Sequence, residues 1–261
     1  MTPRTTKGKL CISIVSHGQK TLADKLISQL TSKAQSEIAQ LIITCNRPDI
    51  ESFEYLSSKT DFPFIVRCIN NERPLGFGAN HNQAFKYCEF DYFCVINPDI
   101  ELENDPFESL LNAFSIANIG VTYPAQVDEK NALLDFERDL VSPTSVAQRN
   151  LLMQQHQSTK SPVDWISGAF IVFKSSAFRE LEGFDERYFM YCEDVDICLR
   201  LQLAGYKLVK ADATVIHHTQ RRTLKNLQHL AWHVRSLLRL WNSASYKQYK
   251  QRFIDNRAER S

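Results

Sequence analysis

Four short runs of β-branched and aromatic residues punctuate the first hundred positions of the chain: Leu10 to Ser16, Leu41 to Cys45, Phe64 to Ile69 and Tyr92 to Ile96. Each is an almost unbroken apolar run of strand length, the pattern of a strand buried on both faces. Between them the apolar period changes. Leu22, Leu26, Ile27 and Leu30 recur at three- and four-residue steps, as do Ala79, Asn82 or Gln83, and Phe85 to Tyr87, which predicts helices. Strand and helix in alternation predict an α/β fold with a mainly parallel, twisted central sheet flanked by helices. Ligands of such sheets lie beyond the carboxyl ends of the strands. The polar residues that follow each run are therefore candidates: Ser16-His17-Gly18, Asn46-Arg47-Pro48, Asn70-Asn71 and Asn97-Pro98-Asp99.

The stretch from Asp128 to Pro162 mixes charges, Pro143 and glutamines around weak apolar patches, and is expected to be a long excursion of the lid or acceptor-loop kind. Regular structure resumes with a strand over Trp165 to Lys174. A helix is predicted from Glu193, with Val195, Leu199 and Leu203 on one face and Gly205 as its stop. A further strand, Lys207 to Ala211 or Thr214 to Ile216, leads to His217-His218.

Composition narrows this picture. With 261 residues, 43% of them hydrophobic, the chain can bury a core without staples. A net charge of +1 excludes the basic signature of a dedicated nucleic-acid binder. The seven cysteines are odd in number, scattered, and set in apolar runs, so they are expected to be reduced core thiols of a cytoplasmic chain. No apolar run approaches the ~18 residues of a membrane span, so the protein is expected to be soluble or membrane-peripheral. Charge is nonetheless segregated. From Thr219 onward ten Lys or Arg stand against two acids, whereas the preceding 218 residues carry 21 basic and 28 acidic side chains. Leu227, Leu230, Ala231, Val234, Leu237, Leu238 and Trp241 form a helical stripe in this segment, interleaved with Arg235 and Arg239. Such a helix suits an anionic membrane surface, or docks on the domain with a solvated basic face.

Three segments carry candidate chemistry. Asp99, placed after a buried strand, offers a hard oxygen ligand suited to Mg²⁺ or Mn²⁺ bridging a diphosphate, although Asn-Pro-Asp is also ordinary turn chemistry. Gly76-Phe77-Gly78-Ala79-Asn80-His81-Asn82 opens a helix, where backbone amides can meet a nucleotide; His81 stands where a dinucleotide fingerprint needs a third glycine, which excludes the dehydrogenase reading. Tyr191-Cys192-Glu193-Asp194-Val195-Asp196 sets three acids at a helix start behind Gly183-Phe184-Asp185 and an aromatic run, so one of them is either a carboxylate base or a helix-capping charge. His217 or His218 could add an imidazole ligand.

Taken in order, these segments resemble the family 2 glycosyltransferases of the GT-A fold, and especially their bacterial rhamnosyltransferase-like branch. The resemblance runs from Leu10 to His218 through Ser13-Ile14-Val15-Ser16-His17-Gly18, the glycine loop, Asn97-Pro98-Asp99, Trp165-Ile166-Ser167-Gly168-Ala169, and Gly183-Phe184-Asp185-Glu186 with Glu193-Asp194-Val195-Asp196. It implies a GT-A domain over 1–218, after which the charge and period described above give a basic amphipathic helical extension over 219–261. It implies that Asp194 is the catalytic base with Glu193 its partner, and that Asp99 and His217, with His218 the fallback, hold Mg²⁺ or Mn²⁺. Ser16, His17, Gly18, Asn46, Gly76, Asn80, Asn82, Asn97, Asp99, Trp165 and Gly168 then bind the nucleotide sugar. His17 and Asn46 depart from the family, which has a tyrosine and an acid there, and Asn97 replaces the first acid of the DxD-type motif. The implied activity is inverting transfer of a sugar, L-rhamnose from dTDP-rhamnose, to a hydroxyl of a lipid-linked glycan in cell-surface polysaccharide synthesis, at the inner face of the cytoplasmic membrane and without nucleic-acid partners. The alternatives are a UDP-linked hexose, hexosamine or galactofuranose as donor, or a non-catalytic nucleotide-binding relative.

Overall fold

A computed structural model describes residues 9–34, 36–59, 61–143, 163–219 and 227–255. The chain runs β1 (Leu10–Ser16), α1 (Lys20–Lys33), β2 (Ile38–Cys45), α2 (Tyr55–Ser58), β3 (Ile65–Asn70), α3 (Phe77–Phe85), β4 (Tyr92–Ile96), β5 (Ile100–Glu101), α4 (Phe107–Asn112), β6 (Ile119–Val127) and β7 (Glu137–Arg138). It continues through β8 (Trp165–Ile166), β9 (Phe170–Lys174), α5 (Ser175–Glu180), α6 (Glu193–Leu203), β10 (Lys207–His217), α7 (Leu227–Asn242) and α8 (Ala244–Tyr249).

Eight strands form one sheet in the order β3-β2-β1-β4-β9-β6-β10-β5, and β7 pairs with β8 alone. Strands β3, β2, β1 and β4 are parallel, as the strand–helix alternation predicts; β9 runs antiparallel to both β4 and β6, and β5 antiparallel to β10. Alternate residues of the central strands feed two cores. Cys11, Phe93 and Val95 join the helices α5, α6, α7 and α8 on one face, while Ile12, Cys94 and Ile96 join α1 and α4 on the other. That division explains why β1 and β4 read as unbroken apolar runs.

Two predicted elements take a different form. Trp165 to Lys174 is two strands, because residues 167–169 leave the ladder in a turn. The alternatives for the strand before His217 are one strand, β10, with a register irregularity between Lys210 and Thr214 opposite Tyr123 and Ala125 of β6. Pro124 sits between those two β6 residues, and the break accommodates its missing N–H. The same proline and Gly120 interrupt the apolar run of β6, which hides this strand from a reading by hydrophobic runs.

The basic C-terminal helix docks on the domain and leaves one side open. Leu237, Leu240, Tyr246 and Tyr249 are buried in the core that contains Val195 and Leu199 of α6, and Trp241 donates its indole N–H to the carbonyl of Val141 at 2.9 Å. On the opposite side Leu227, Leu230, Val234 and Leu238 are exposed. The helix beyond residue 218 is thus packed into the domain along one face. All seven cysteines are free and six are buried. Among the described residues no helix is long and apolar enough to cross a membrane.

Candidate active site

The acids predicted at a helix start open α6, directly after two consecutive left-handed residues, Tyr191 at φ 70° and Cys192 at φ 65°. Backbone of this kind costs non-glycine residues on the order of 1–2 kcal/mol each and persists where surrounding contacts hold it. Those contacts are present: Cys192 accepts from the N–H of Asp196 at 2.9 Å, Ser236 donates to the carbonyl of Met190 at 2.8 Å, and the Tyr191 hydroxyl meets His229 Nδ1 at 2.8 Å. The three acids then diverge. Asp196 is a structural group, paired with Arg200 at 2.7 Å and accepting from Ser245 at 2.7 Å. Asp194 accepts the N–H of Gly168 at 3.1 Å and of Val195 at 2.9 Å. Glu193 lies buried with one carboxyl oxygen, Oε2, unpaired.

Burial pushes the pKa of both Glu193 and Asp194 upward, and the neighbouring Asp194 charge raises Glu193 further. The amides of Gly168 and Val195, and the charge of Arg138, pull Asp194 back. Of the two, Asp194 is therefore the carboxylate that ionises first, and Glu193 keeps its proton longer. A carboxylate with an elevated pKa and two fixed backbone donors is equipped to accept a proton.

Asn97-Pro98-Asp99 is both a turn and a ligand-bearing end: Ile100 N–H closes on the Asn97 carbonyl at 3.2 Å, and β5 follows at once. Pairing of β5 with the end of β10 aligns Ile100 with His217, and the N–H of His218 bonds the Asp99 carbonyl at 3.0 Å. This sets His217 Nε2 3.5 Å from Asp99 Oδ1. His217 Nδ1 lies 2.9 Å from the amide oxygen of Gln126, an acceptor only, so Nδ1 carries the hydrogen of the neutral ring. Nε2 then presents a lone pair to Asp99 Oδ1, which is buried and has no hydrogen-bond partner. With a neutral ring the two are facing acceptors that a cation could share, and with a protonated ring Nε2–H pairs directly with the carboxylate. Asp99 and His217, whose far nitrogen is anchored by an amide oxygen, are the residues here that could hold a metal. His218 is engaged elsewhere. Its ring lies 2.7 Å from both Glu101 and Glu129, and the Glu101 contact foremost raises its pKa. Among the described residues no cluster of three or more His, Cys, Asp or Glu side chains surrounds this pair.

One turn links the two centres. The N–H of Asn97 donates to the carbonyl of Ala169 at 2.8 Å, while the N–H of the adjacent Gly168 holds Asp194. A Cβ on Gly168 would stand 3.2 Å from the Asp194 Cβ, so a side chain there would push against the acid.

The remaining candidates form a polar network at the ends of β1 to β3. Asn46 accepts from Leu75 N–H and from Asn71, both at 2.8 Å, and its amide nitrogen reaches the Leu75 carbonyl at 3.0 Å and His17 Nδ1 at 3.2 Å. Asn80 takes the other Asn71 donor at 2.6 Å and bonds the carbonyls of Leu75 and Gly76. In this arrangement Asn46 and Asn80 shape the loop that precedes α3, and His17 is exposed at its lip. A Cβ on Gly76 would fall 2.6 Å from the Phe189 carbonyl oxygen, which also receives the Phe77 N–H at 2.9 Å; the glycine lets α3 begin against the Phe189 backbone. Trp165 is buried, donates to the Asp139 carbonyl at 2.8 Å, and lies under the Arg138 guanidinium at 4.9 Å.

Asn82 has a task inside the fold. Its side-chain amide brackets Phe184, accepting its N–H at 2.9 Å and donating to its carbonyl at 2.8 Å. Replacing Asn82 by Ala is expected to strand both groups and to cost about 1–3 kcal/mol of stability, read as a lowered Tm. His81 is also accounted for: it bonds Ser13 at 2.8 Å, and burial pushes its pKa down to about 3, so the ring is neutral.

Three contributors escape a reading of motifs. Glu51, buried beyond β2, accepts from Ser16 at 2.7 Å and from the N–H of Gly18 at 2.9 Å. Gln126 and Arg138 act on His217 and Asp194 as described above. None of the three follows a recognisable apolar run, and only the folded chain sets them beside their partners.

The mainly parallel, helix-flanked sheet is that of the GT-A class of fold, shared with solved glycosyltransferases. A family model described as Glycosyltransferase like family 2 matches residues 14–254. The chain belongs to the family 2 glycosyltransferases. It is 29% identical over 254 residues to Rhamnosyltransferase WbbL of Escherichia coli (strain K12), covering 87% of this chain and 90% of that one. It is 32% identical over 166 residues to the N-acetylglucosaminyl-diphospho-decaprenol L-rhamnosyltransferase of Mycobacterium tuberculosis (strain ATCC 25618 / H37Rv), covering 56% of this chain and 53% of the relative. A solved mannosyltransferase, PcManGT from Pyrobaculum calidifontis in complex with GDP-Man and Mn²⁺, superposes with a TM-score of 0.61 at 12% identity, over 90% of this chain and 66% of that chain. The family match continues through α7 and α8, in keeping with their packing into the domain.

Proposed function

We propose that this glycosyltransferase moves L-rhamnose from dTDP-rhamnose to a hydroxyl of a lipid-linked glycan, with inversion at the anomeric carbon. The observation that carries the chemistry is the 167–169 turn, which holds Asp194 through Gly168 and the Asn97 end of β4 through Ala169. The donor and acceptor are supported by two relatives named as rhamnosyltransferases, one of them acting on a diphospho-decaprenol.

In this reading the acceptor hydroxyl docks against Asp194, whose carboxylate takes the proton as the oxygen attacks the anomeric carbon. Gly168 and Val195 keep that carboxylate aimed and charged. Asp99 and His217 would hold Mg²⁺ or Mn²⁺, and the bound cation would offset the charge of the departing nucleoside diphosphate. Two protein ligands leave the rest of the shell to substrate oxygens and water, as hard cations at diphosphate sites commonly have it. The solved mannosyltransferase bound to Mn²⁺ is consistent with that fit. The Asn46 network and His17 line the side where the nucleotide base would rest. A lipid-linked acceptor and a nucleotide-sugar donor together assign the work to the inner face of the cytoplasmic membrane.

Thermal unfolding of the purified protein with dTDP, UDP and GDP, each with and without Mn²⁺, tests the donor. Binding to the native state must raise Tm. A metal-dependent rise that is largest with dTDP is expected. A preference for UDP would replace the donor with a UDP-linked sugar, and no rise with any nucleotide would favour the non-catalytic alternative.

A further inference from the structure

One large surface feature takes no part in the site described so far. The exposed face of α7 carries Leu227 at 85% exposure, Leu230 at 44%, Val234 at 48% and Leu238 at 53%. Spaced at three and four residues, they form a continuous apolar stripe. Water-facing leucines and a valine in such a row are unusual on a soluble surface and mark a contact face.

Beside the stripe lies a basic groove. A cavity of about 420 Å³ is lined by Arg187, Arg235, Leu238, Arg239, Asn242 and Ser243. A second, of about 210 Å³, adjoins it between Arg187, Phe189, Trp232 and Arg235. Arg187 is already paired with Asp185 at 2.6 Å. Among the described residues Arg235 and Arg239 form no ion pair; the Arg239 guanidinium lies over the Tyr188 ring at 6.0 Å. From Thr219 onward the chain holds ten basic residues and two acids, while the preceding residues carry an excess of acids. Of the described residues it is Arg235 and Arg239 that stand at this groove without an ion pair, next to the apolar stripe, a combination complementary to an anionic bilayer.

We infer that the exposed stripe of α7 and the arginines beside it form a docking surface for an anionic phospholipid bilayer. The leucines and Val234 enter the headgroup region, and Arg235 and Arg239 meet lipid phosphates. Docking there would set the site close to the lipid. The opposite face of the same helix holds the segment that leads into Glu193 and Asp194, through Ser236 to Met190 and His229 to Tyr191, and the Phe189 and Trp232 rings meet at 4.8 Å, tilted by 43°. The helix thus spans from the membrane-facing stripe to the mouth of the site. This inference deepens the proposed use of a lipid-linked acceptor, but its readout does not depend on that use.

Flotation of the full chain with vesicles of phosphatidylcholine, alone or mixed with phosphatidylglycerol, is the test. Binding to the mixed vesicles only, released by added salt, is expected. V234D/L238D should abolish flotation, and R235Q/R239Q should weaken it by about fivefold per arginine. Both variants alter exposed or half-buried surface positions, so an unchanged Tm and an unchanged nucleotide-induced Tm rise are expected of both. Equal binding to both vesicle types, no binding by the unaltered chain, or flotation of V234D/L238D at the unaltered level would overturn the inference. So would a dimer in sedimentation that V234D/L238D dissolves, because the stripe would then cover a second copy of the chain. A protein that shows the nucleotide response but fails to float refutes the docking surface alone; one that floats without the nucleotide response refutes the transferase reading alone.

Discussion

Asp194→Asn is expected to lower turnover by roughly 10²–10⁴-fold, the usual worth of a positioned general base, with little change in the Tm rise produced by the nucleotide. The amide keeps one acceptor oxygen, so it retains one of the two bonds, from Gly168 to Oδ2 or from Val195 to Oδ1, and loses the other. A Tm of the unliganded variant close to that of the unaltered protein shows that the start of α6 survives and that the lost function is proton acceptance. Full turnover in the variant would remove Asp194 from the role of base. Its pH behaviour adds a second signature. Burial raises the folded-state pKa of Asp194, so the acid limb of kcat should lie above the ordinary carboxylate range. In stability the sign is opposite. The folded state keeps a proton that the unfolded chain releases, so stability is greatest below the ordinary carboxylate pKa and falls as pH rises toward the raised one. Asp194→Asn should flatten that fall, measured as Tm against pH.

Asp99→Ala is expected to erase the metal-dependent part of the nucleotide Tm rise. A cation at a leaving diphosphate is worth several kcal/mol of charge stabilisation, so turnover should fall by about 10³-fold at one decade per 1.4 kcal/mol. His217→Ala should follow Asp99→Ala in direction, because Nε2 faces the same oxygen at 3.5 Å. His218→Ala should leave the metal response in place, since Glu101 and Glu129 already occupy its ring. A metal response that disappeared with His218 and survived without His217 would reverse the assignment.

The candidate residues were legible to different depths. Asp194 and Asp99 stand in compact motifs at the ends of periodic segments, where local sequence states both the residue and its place on an element. Asn82 stands in an equally clear motif, yet its amide is committed to Phe184, 102 positions away. Asn46 and Asn80 lie at the predicted edge and turn inward to the Leu75 loop. A motif names which residues gather at an edge. Which of them face a ligand depends on what other chain segments offer as partners.

The choice between His217 and His218 shows why. The two are adjacent and chemically identical, so nothing local separates them. Strand alternation points neighbouring side chains to opposite sides, and the pairing of β5 with β10 decides which side holds Asp99. The same holds for the C-terminal helix. Its amphipathic pattern is plain in sequence, but only packing shows that Leu237 and Leu240 are buried while Leu230, Val234 and Leu238 face water.

By itself the sequence determined the α/β class, the strands β1 to β4, the polar edge that follows them and the acidic start of α6, because these rest on hydrophobic period and short-range capping. The tertiary structure decided the reversed strand β9, the strand β6 hidden by Pro124, the tie from Gly168 to Asp194 and the pairing of Asp99 with His217. Each of these joins segments between 26 and 118 positions apart, where no local period carries information and the partner is set by which surfaces the folded chain can bury together.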